Sequence, residues 1–414
     1  MSSYIQQAIN AIIRPPRTSY DVSELPLVLN TSEEEDFGVF LRHPFKVQNN
    51  RGQNIVGSLY HLSTDDPTGG GPCVIYLHGN ASSQLEGQFL VPNLCPHHIK
   101  VFCFDFIGCG CSDGDYVSLG YYEKFDTEFI IGLLVDYFGL GPFILWGRSM
   151  GAATCLLVND PRVVGKVSDS AFTSVEDMCS AIAKSMSLPS LFVPTVVKFL
   201  NGRVNSAAKF DFSDVSPLKN VTQNATPVVY GHAEDDQFIP FEQCRTLYDA
   251  HGNDMRFLMV LPGGHNSRRD INWITLGVSF ILNMFKINVT SPRISECRKL
   301  QSSDFHFHSF SELVKNAPKN DMESVQNICI EEPIKTENVE VPVVETKTKK
   351  HKHSKDKTDE KSERKHRKKH DDKDHKKSRK DTSCLTDNET QTDYLQFVVS
   401  PSGLVLDIPH VQTE

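Results

Sequence analysis

The chain has 414 residues, of which 39% are hydrophobic and 9% aromatic, so it can bury at least one large core. This composition excludes a disordered chain, a collagen and a small disulfide scaffold. The formal net charge of −9 is unevenly distributed, because residues 347–380 carry 17 Lys and Arg against 7 Asp and Glu and leave the rest of the chain acidic.

The eleven cysteines indicate a reducing compartment. Their number is odd, no C-x-x-C pair occurs, and most lie inside apolar runs such as 101–104. We therefore expect buried thiols, with neither a disulfide framework nor a structural zinc site. Because the sequence also lacks a signal-like start and a long apolar span, the protein is predicted to be soluble and cytoplasmic.

Residues 1–36 are predicted to form an amphipathic helix followed by a lead-in segment. The apolar residues follow the i, i+3, i+4, i+7, i+8 spacing of one helix face, namely Ile5, Ala8, Ile9, Ile12 and Ile13. This face is expected to pack on the following domain. The alternative is a peripheral membrane contact, for which Arg14 and Arg17 are the nearby basic residues.

Residues 37–290 alternate short apolar runs with helical segments, which predicts β-α-β units and a mostly parallel central sheet flanked by helices. The stretch 36–62 lacks a helical pattern and predicts an antiparallel lead-in hairpin. The predicted strands are 73–78, 99–104, 143–146, 164–169, 226–230 and 256–261. The predicted helices are 84–91, 122–138, 150–158, 242–250 and 272–285.

Residues 170–225 interrupt this alternation with a segment rich in Met, Leu, Phe and Val. The segment is too long for an ordinary connection between a strand and a helix. We interpret it as a small helical cap inserted over the sheet, the alternative being extra helices at the sheet edge.

The composition changes beyond residue 290. Residues 291–390 are polar and charged and are predicted to be disordered, because they cannot bury enough apolar surface to offset chain entropy. Residues 391–414 regain an apolar pattern around a turn and predict a docking hairpin. The basic segment 347–380, which contains the run 364–369, is interspersed with seven acids and lacks aromatic residues. No specific nucleic acid is therefore expected, and the tail is predicted to engage an unknown protein partner.

The strongest chemical motif is Gly147-Arg-Ser149-Met-Gly151, directly after a predicted strand and directly before a predicted helix. In a nucleophile elbow the sharp strand-to-helix turn exposes a serine, and glycines two residues to either side permit the close backbone approach. The pattern therefore identifies Ser149 as a candidate catalytic nucleophile.

A nucleophilic serine needs a general base, and the base needs an orienting acid. His265 lies on a glycine-rich loop after the last predicted strand, while Glu234, Asp235 and Asp236 follow the strand before it. Carboxyl ends of parallel strands meet at one edge of a sheet, so these side chains are expected to converge on Ser149. The spacing alone leaves the choice among the three carboxylates open.

Residues 73–287 resemble an α/β-hydrolase of the serine-aminopeptidase or prolyl-oligopeptidase-like group. The motifs at 147–152, 78–80 and 12–17 are most similar to eukaryotic α/β-hydrolase-domain proteins that include acyl-protein thioesterases. Those thioesterases carry an N-terminal cysteine cluster for lipid attachment, whereas this chain has no cysteine before Cys73. The resemblance thus implies the α/β-hydrolase fold, and the missing cysteines are a departure from it that gives a constitutive acyl anchor no support.

The resemblance also implies individual roles. Its pattern has an aspartate four residues before a proline, which selects Asp236 ahead of Pro240. His78-Gly-Asn80 resembles the oxyanion loop of the group, so the backbone amides of Asn80 and Met150 would stabilise the negatively charged oxygen of the intermediate. His78 itself is expected to form local hydrogen bonds without transferring a proton.

These observations predict a serine hydrolase that cleaves an ester, thioester or amide acyl bond in an acylated small molecule or protein through a Ser-Asp-His triad and an acyl-enzyme. Neither a metal nor an organic cofactor is required. Two alternatives remain open, a serine peptidase on the same fold and a non-catalytic scaffold that displays the charged tail to a partner.

Overall fold

A computed structural model describes residues 2–33, 35–289, 292–296 and 300–302. The basic run and the hairpin predicted for 391–414 lie outside these residues. The strands of the described part are β1 Val28–Asn30, β2 Val39–Gln48, β3 Asn54–Leu62, β4 Gly71–Leu77, β5 Lys100–Phe104, β6 Leu140–Arg148, β7 Val163–Asp169, β8 Val228–Ala233, β9 Arg256–Leu261 and β10 Gln301–Ser302. Its α-helices are α1 Ser2–Ile13, α2 Leu90–Leu94, α3 Tyr121–Phe138, α4 Met150–Leu157, α5 Val175–Ser185, α6 Val193–Ala208, α7 Pro217–Val221, α8 Phe241–Ala250 and α9 Ile271–Met284.

The strands form one sheet in the order β10-β1-β2-β3-β5-β4-β6-β7-β8-β9. Strands β5, β4, β6, β7, β8 and β9 are mutually parallel, and β3, β2, β1 and β10 continue the sheet in antiparallel fashion. The predicted mostly parallel sheet flanked by helices is confirmed, and the β2–β3 pair is the predicted lead-in hairpin.

Alternate residues of the central strands pack on opposite faces of the sheet, as the two-residue period of a strand requires. On β4, Ile75 and Leu77 belong to the apolar cluster that includes residues of α3, α4 and α6, whereas Val74 and Tyr76 belong to the cluster that includes residues of α2 and α9. Because both faces are covered, these strands read as nearly continuous apolar runs.

Several boundaries differ from the predictions. The predicted helix 84–91 is a 3₁₀ helix at Gln84–Phe89 followed by the short α2. Gly87 lies so close to Tyr76 and Cys103 that a Cβ there would overlap both side chains. This close packing against the sheet falls within the 3₁₀ helix, which is narrower than an α-helix. The edge strands β1 and β10 were not predicted, because two or three residues are too few to show an alternating pattern.

The chain continues along the sheet beyond residue 290. β10 pairs with β1, and Ser295 is buried with its backbone N–H donating to Oδ1 of Asn93 at 2.7 Å. Residues 292–296 and 300–302 are thus held by the domain, although their polar composition places them in the predicted tail. Hydrogen bonds hold them, together with the side chains of Ile294 and Leu300, which pack against the core, and two isolated apolar residues show no periodicity.

Helix α1 packs on the domain through its apolar face. Ile9 and Ile13 are buried in the same core cluster as residues of α3 and α6, and Ile12 packs against it. The expected docking is therefore observed for Ile9, Ile12 and Ile13, whereas Ala8 of the same predicted face is exposed. Within the described part of the chain, no helix is long and apolar enough to cross a membrane.

The inserted segment 170–225 contains α5, α6 and α7. Helices α5 and α6 contact each other, and α6 also contacts α1, whereas α7 packs against α4 and α8. Helix α5 begins six residues after the carboxyl end of β7, with Ser174 accepting a hydrogen bond from the backbone N–H of Asp177 as an N-cap.

Buried histidines make the fold sensitive to acid. On the β2–β3 hairpin, the ring nitrogens Nε2 of His43 and Nε2 of His61 lie 2.7 Å apart. Burial, together with neighbouring His61 and Arg42, lowers the pKa of His43 to about 3, and burial lowers the pKa of His251 to about 4. A histidine of the unfolded chain has a pKa of about 6.5. At a pH between that value and the lowered pKa values, both rings are neutral in the folded chain but protonated in the unfolded chain.

The free energy of unfolding should therefore fall as the pH is lowered from about 7 toward 4, by roughly 1.4 kcal/mol per unit and per histidine once the pH lies well below 6.5. Urea titrations at stepped pH measure this slope. In a His43→Phe variant the slope should be smaller, whatever the absolute stability of that variant. An unchanged slope would show that His43 is not one of the groups responsible.

Candidate active site

Ser149 occupies a strained turn between β6 and α4. Its backbone has φ 52°, a value that L-residues rarely adopt, and its N–H donates to the carbonyl of Asp169 at 2.8 Å. A Cβ on Gly147 would overlap the carbonyl of Gly151, and one on Gly151 would overlap the carbonyl of Leu77. Both glycines of the motif are therefore needed for the backbone to turn this tightly.

The turn aims the Ser149 hydroxyl at His265, which lies on the loop after β9. Oγ of Ser149 is 2.9 Å from Nε2 of His265, and Nδ1 of the same ring is 2.6 Å from Oδ2 of Asp236. The three residues follow β6, β8 and β9, so the carboxyl edge of the parallel sheet brings them together. This connected set can pass a proton from the hydroxyl to the ring.

Of the three adjacent carboxylates, the structure brings Asp236 to the histidine. Asp236 is buried, while Glu234 and Asp235 are exposed. Oδ1 of Asp236 also accepts hydrogen bonds from the backbone N–H groups of Phe238 and Ile239, at 2.9 and 2.8 Å. The choice that the spacing left open is thus made by the conformation of the loop.

The surroundings of Asp236 keep its carboxylate ionised. Burial by itself raises the pKa, but hydrogen bonds from His232, His265 and the Ile239 amide outweigh this effect and hold the pKa of Asp236 well below its usual range. A permanently charged acid fixes the proton of His265 on Nδ1 and leaves Nε2 free to accept the serine proton.

His232 supports Asp236 and was not among the predicted site residues. Its Nε2 lies 2.8 Å from the carbonyl of Ile239 and 3.3 Å from Oδ2 of Asp236, inside a fully buried environment. Because a carbonyl oxygen only accepts, Nε2 carries a proton and donates it toward both oxygens. The available signal was a histidine four residues before the acid, within an apolar strand.

A second pair missed from the sequence holds the histidine loop. The guanidinium of Arg269 contacts both carboxylate oxygens of Asp169 at 2.8–3.0 Å, and its Nη1 donates to the carbonyls of Gly264 and Ser267. Asp169 ends β7, and its carbonyl accepts the N–H of Ser149. The pair therefore couples the histidine loop to the nucleophile across 100 residues of sequence.

The backbone amides of Asn80 and Met150 are the predicted oxyanion donors. Asn80 follows β4, and Met150 is the first residue of α4. Neither amide has a hydrogen-bond acceptor among the described residues, which leaves both available to a ligand. Met150 directly follows Ser149, so its amide nitrogen is bonded to the carbonyl carbon of the nucleophilic residue.

The loop that carries Asn80 is held from both sides. The ring of His78 lies 2.7 Å from the carbonyl of Gly79 through Nδ1, and its Nε2 accepts the N–H of Phe106 at 3.0 Å, so its two nitrogens are used locally as expected. Glu86 accepts the N–H of Gly79 at 2.8 Å and lies 3.6 Å from Arg148. These bonds fix the backbone that would present the Asn80 amide.

Phe238 supplies an apolar surface beside the histidine. Its ring centroid is 5.1 Å from that of His265, and the side chain is 46% exposed. A large aromatic ring left this open next to a candidate base can contact an apolar part of a substrate. Among the described residues, no group of three or more His, Cys, Asp or Glu side chains is placed to hold a metal ion.

Comparison with known proteins gives the class. Residues 72–168 match the family model described as alpha/beta hydrolase fold. An uncharacterized protein, YqkD of Bacillus subtilis, is 27% identical over 238 residues, which cover 56% of this chain and 75% of that protein. Lysophosphatidylserine lipase ABHD12 of Danio rerio is 26% identical over 190 residues, which cover 43% of this chain and 47% of the lipase.

A solved structure, the esterase Pf2001 of Pyrococcus furiosus, is 19% identical with a TM-score of 0.47, covering 66% of this chain and 98% of the esterase. The family model and the relatives confirm the resemblance to α/β-hydrolases, and the fold of the chain is the α/β-hydrolase fold. The family model and the lipase relative also support the interpretation that this chain is a hydrolase.

Proposed function

We propose that this protein is a serine hydrolase that cleaves the ester bond of a substrate with an apolar acyl group. The observation that carries the proposal is the continuous hydrogen-bonded set formed by Ser149, His265 and Asp236, with distances of 2.9 and 2.6 Å and with the serine in an elbow at φ 52°. A protein that only displays a tail has no need of a serine strained in this way.

In the proposed reaction, Oγ of Ser149 attacks the ester carbonyl while Nε2 of His265 takes the hydroxyl proton. Asp236 stabilises the imidazolium, and the amides of Asn80 and Met150 donate to the negatively charged carbonyl oxygen. His265 then protonates the leaving alcohol, which departs and leaves an acyl group on Ser149. A water molecule, deprotonated by His265, releases the acid and restores the serine.

An apolar acyl ester is favoured over the other acyl bonds by two observations. The exposed ring of Phe238 adjoins His265 and offers an apolar contact where the substrate must lie. In addition, a relative that is 26% identical over 190 residues is named a lysophosphatidylserine lipase, an enzyme of acyl esters. Thioesters have the same carbonyl geometry and are expected to be cleaved at the same site.

The purified chain should hydrolyse p-nitrophenyl esters of medium-length fatty acids, and Ser149→Ala should lower kcat by at least about a thousandfold, because the nucleophile of a triad cannot be replaced by its partners. The matched control is Ser190→Ala, which alters an exposed serine on a loop and should leave turnover unchanged. Turnover that survives Ser149→Ala would refute the proposal, as would a wild type that is inactive on every ester, thioester and aminoacyl amide offered.

A further inference from the structure

The α5–α6 hairpin, residues 175–208, exposes large apolar side chains to solvent. Leu191 is 82% exposed, Met186 78%, Phe192 55% and Phe199 50%. They follow one another along the end of α5, the connecting loop and the first half of α6. Isolated exposed apolar residues need no explanation, but a run of four on one hairpin marks an interaction surface.

The hairpin carries the exposed acids Glu176 and Asp177 in the first turn of α5, but the charged residues in the rest of it, and Lys209 directly after it, are all basic. Residues 178–210 contain four basic residues and no Asp or Glu, whereas the chain as a whole carries −9. The basic side chains are all exposed, and none forms an ion pair within the described part of the chain: Lys184, Lys198, Arg203 and Lys209. Beyond the first turn of α5, the hairpin and Lys209 therefore combine apolar and positive groups with no acid among them.

Helix α6 separates its two faces clearly. Val193, Val197, Val204 and Ala208 are buried against the core at helical spacing. Phe192, Phe199 and Arg203 follow i, i+7, i+11 spacing and are exposed, so they share the outer face of the helix. The apolar and basic groups of the hairpin are consequently presented together, while its inner face is already occupied.

The hairpin leaves the sheet at the edge where the candidate active site lies. α5 begins six residues after Asp169, whose carbonyl accepts the N–H of Ser149. A partner bound to the hairpin would be held at the same end of the sheet as the nucleophile.

We propose that the outer face of the α5–α6 hairpin binds an anionic phospholipid surface. Apolar side chains that enter the interface, flanked by lysine and arginine that contact acidic headgroups, are the combination by which proteins lie on such membranes. A second copy of this chain fits less well, because a symmetric contact would bring two positively charged hairpins together. The binding does not depend on the proposed hydrolysis.

The test places a fluorescent reporter on the hairpin. The two native tryptophans, Trp146 and Trp273, are buried, so a Phe192→Trp substitution adds an exposed reporter. The full chain is used in a Ser149→Ala background, so that no lipid is hydrolysed and a failure of the proposed chemistry does not affect the result. Vesicles contain phosphatidylcholine mixed with phosphatidylserine, or phosphatidylcholine alone.

On the mixed vesicles, emission from the Phe192→Trp chain should shift to shorter wavelength and be quenched by brominated lipid, and partition onto phosphatidylcholine alone should be at least about tenfold weaker. The control reporter Met255→Trp, at the amino-terminal end of β9, should not respond. Adding Lys198→Glu and Arg203→Glu should weaken the response at least about tenfold. The same net charge change through Lys219→Glu and Arg245→Glu, on α7 and α8, should leave it within about twofold.

This readout also separates the hairpin from the basic segment 347–380, whose lysines and arginines are themselves expected to attract acidic lipid. If the chain sediments with vesicles while the Phe192→Trp emission stays unchanged, the hairpin does not touch the lipid and the proposal is wrong. A shift that appears on concentrating the protein without vesicles would assign the surface to a second copy and would also overturn it.

Discussion

Asp236→Asn should lower kcat about ten-thousandfold while the protein folds normally. The asparagine oxygen can still accept the N–H groups of Phe238 and Ile239, so the loop keeps its conformation. Its amide group, however, would face Nδ1 of His265 as a donor, and the proton of the ring would move to Nε2. A ring protonated on Nε2 cannot take the proton of Ser149, which is the cause of losses of this size in triads. Steady-state kinetics and circular dichroism measure the two effects separately.

The matched control is Asp235→Asn, which removes the same charge from the neighbouring residue. Asp235 is exposed, and its carboxylate makes no hydrogen bond within the described residues, so kcat should remain within about threefold. If Asp235→Asn lowers kcat more than Asp236→Asn does, the carboxylate that faces His265 is that of Asp235. If both retain full activity, His265 works with another partner.

Gly151→Ala should destabilise the fold by at least about 3 kcal/mol and abolish activity. Its new methyl group would overlap the carbonyl carbon and oxygen of Leu77 and approach the carbonyl of His78. Backbone of a central strand cannot move aside as the end of a flexible side chain can, so α4 would be pushed away from β4. Urea denaturation measures the stability, and ester hydrolysis measures the displacement of Ser149.

Gly132→Ala gives the control for the same chemical change. Gly132 lies inside α3, and a Cβ there meets no atom within 4 Å. Alanine favours a helix over glycine, so this variant should be more stable than the wild type by up to about 1 kcal/mol, with unchanged activity. Equal destabilisation by the two substitutions would show that the close approach at Gly151 does not limit the fold.

The central architecture could be predicted because strands that are buried on both faces of a sheet appear in the sequence as short, nearly continuous apolar runs. β9 was predicted with its observed ends, and the helices α3, α4, α8 and α9 were predicted within one residue at each end. β6 was predicted too short, since Gly141 and Pro142 read as turn residues although Leu140 pairs with Gly71 of β4. Edge strands and hydrogen-bonded polar segments gave no periodic signal.

The site could be predicted in part for a similar reason. Ser149 and His265 lie in local motifs, and Asp236 required the family pattern, because three adjacent carboxylates are equivalent by spacing. His232 and Arg269 act on the site through contacts made only in the folded chain, with Arg269 reaching Asp169 100 residues away. No local pattern reports the Arg269–Asp169 pair, and the position of His232 four residues before Asp236 does not by itself assign it a role.

The most direct test of the account is to identify the residue that a fluorophosphonate modifies. The reagent reacts with activated serines, and mass spectrometry of peptides from the labelled protein locates the adduct. We expect one adduct per chain, on the peptide that carries Ser149, and no labelling of Ser149→Ala. An adduct on a different serine, or labelling that persists after Ser149→Ala, would contradict the assignment of Ser149 as the nucleophile.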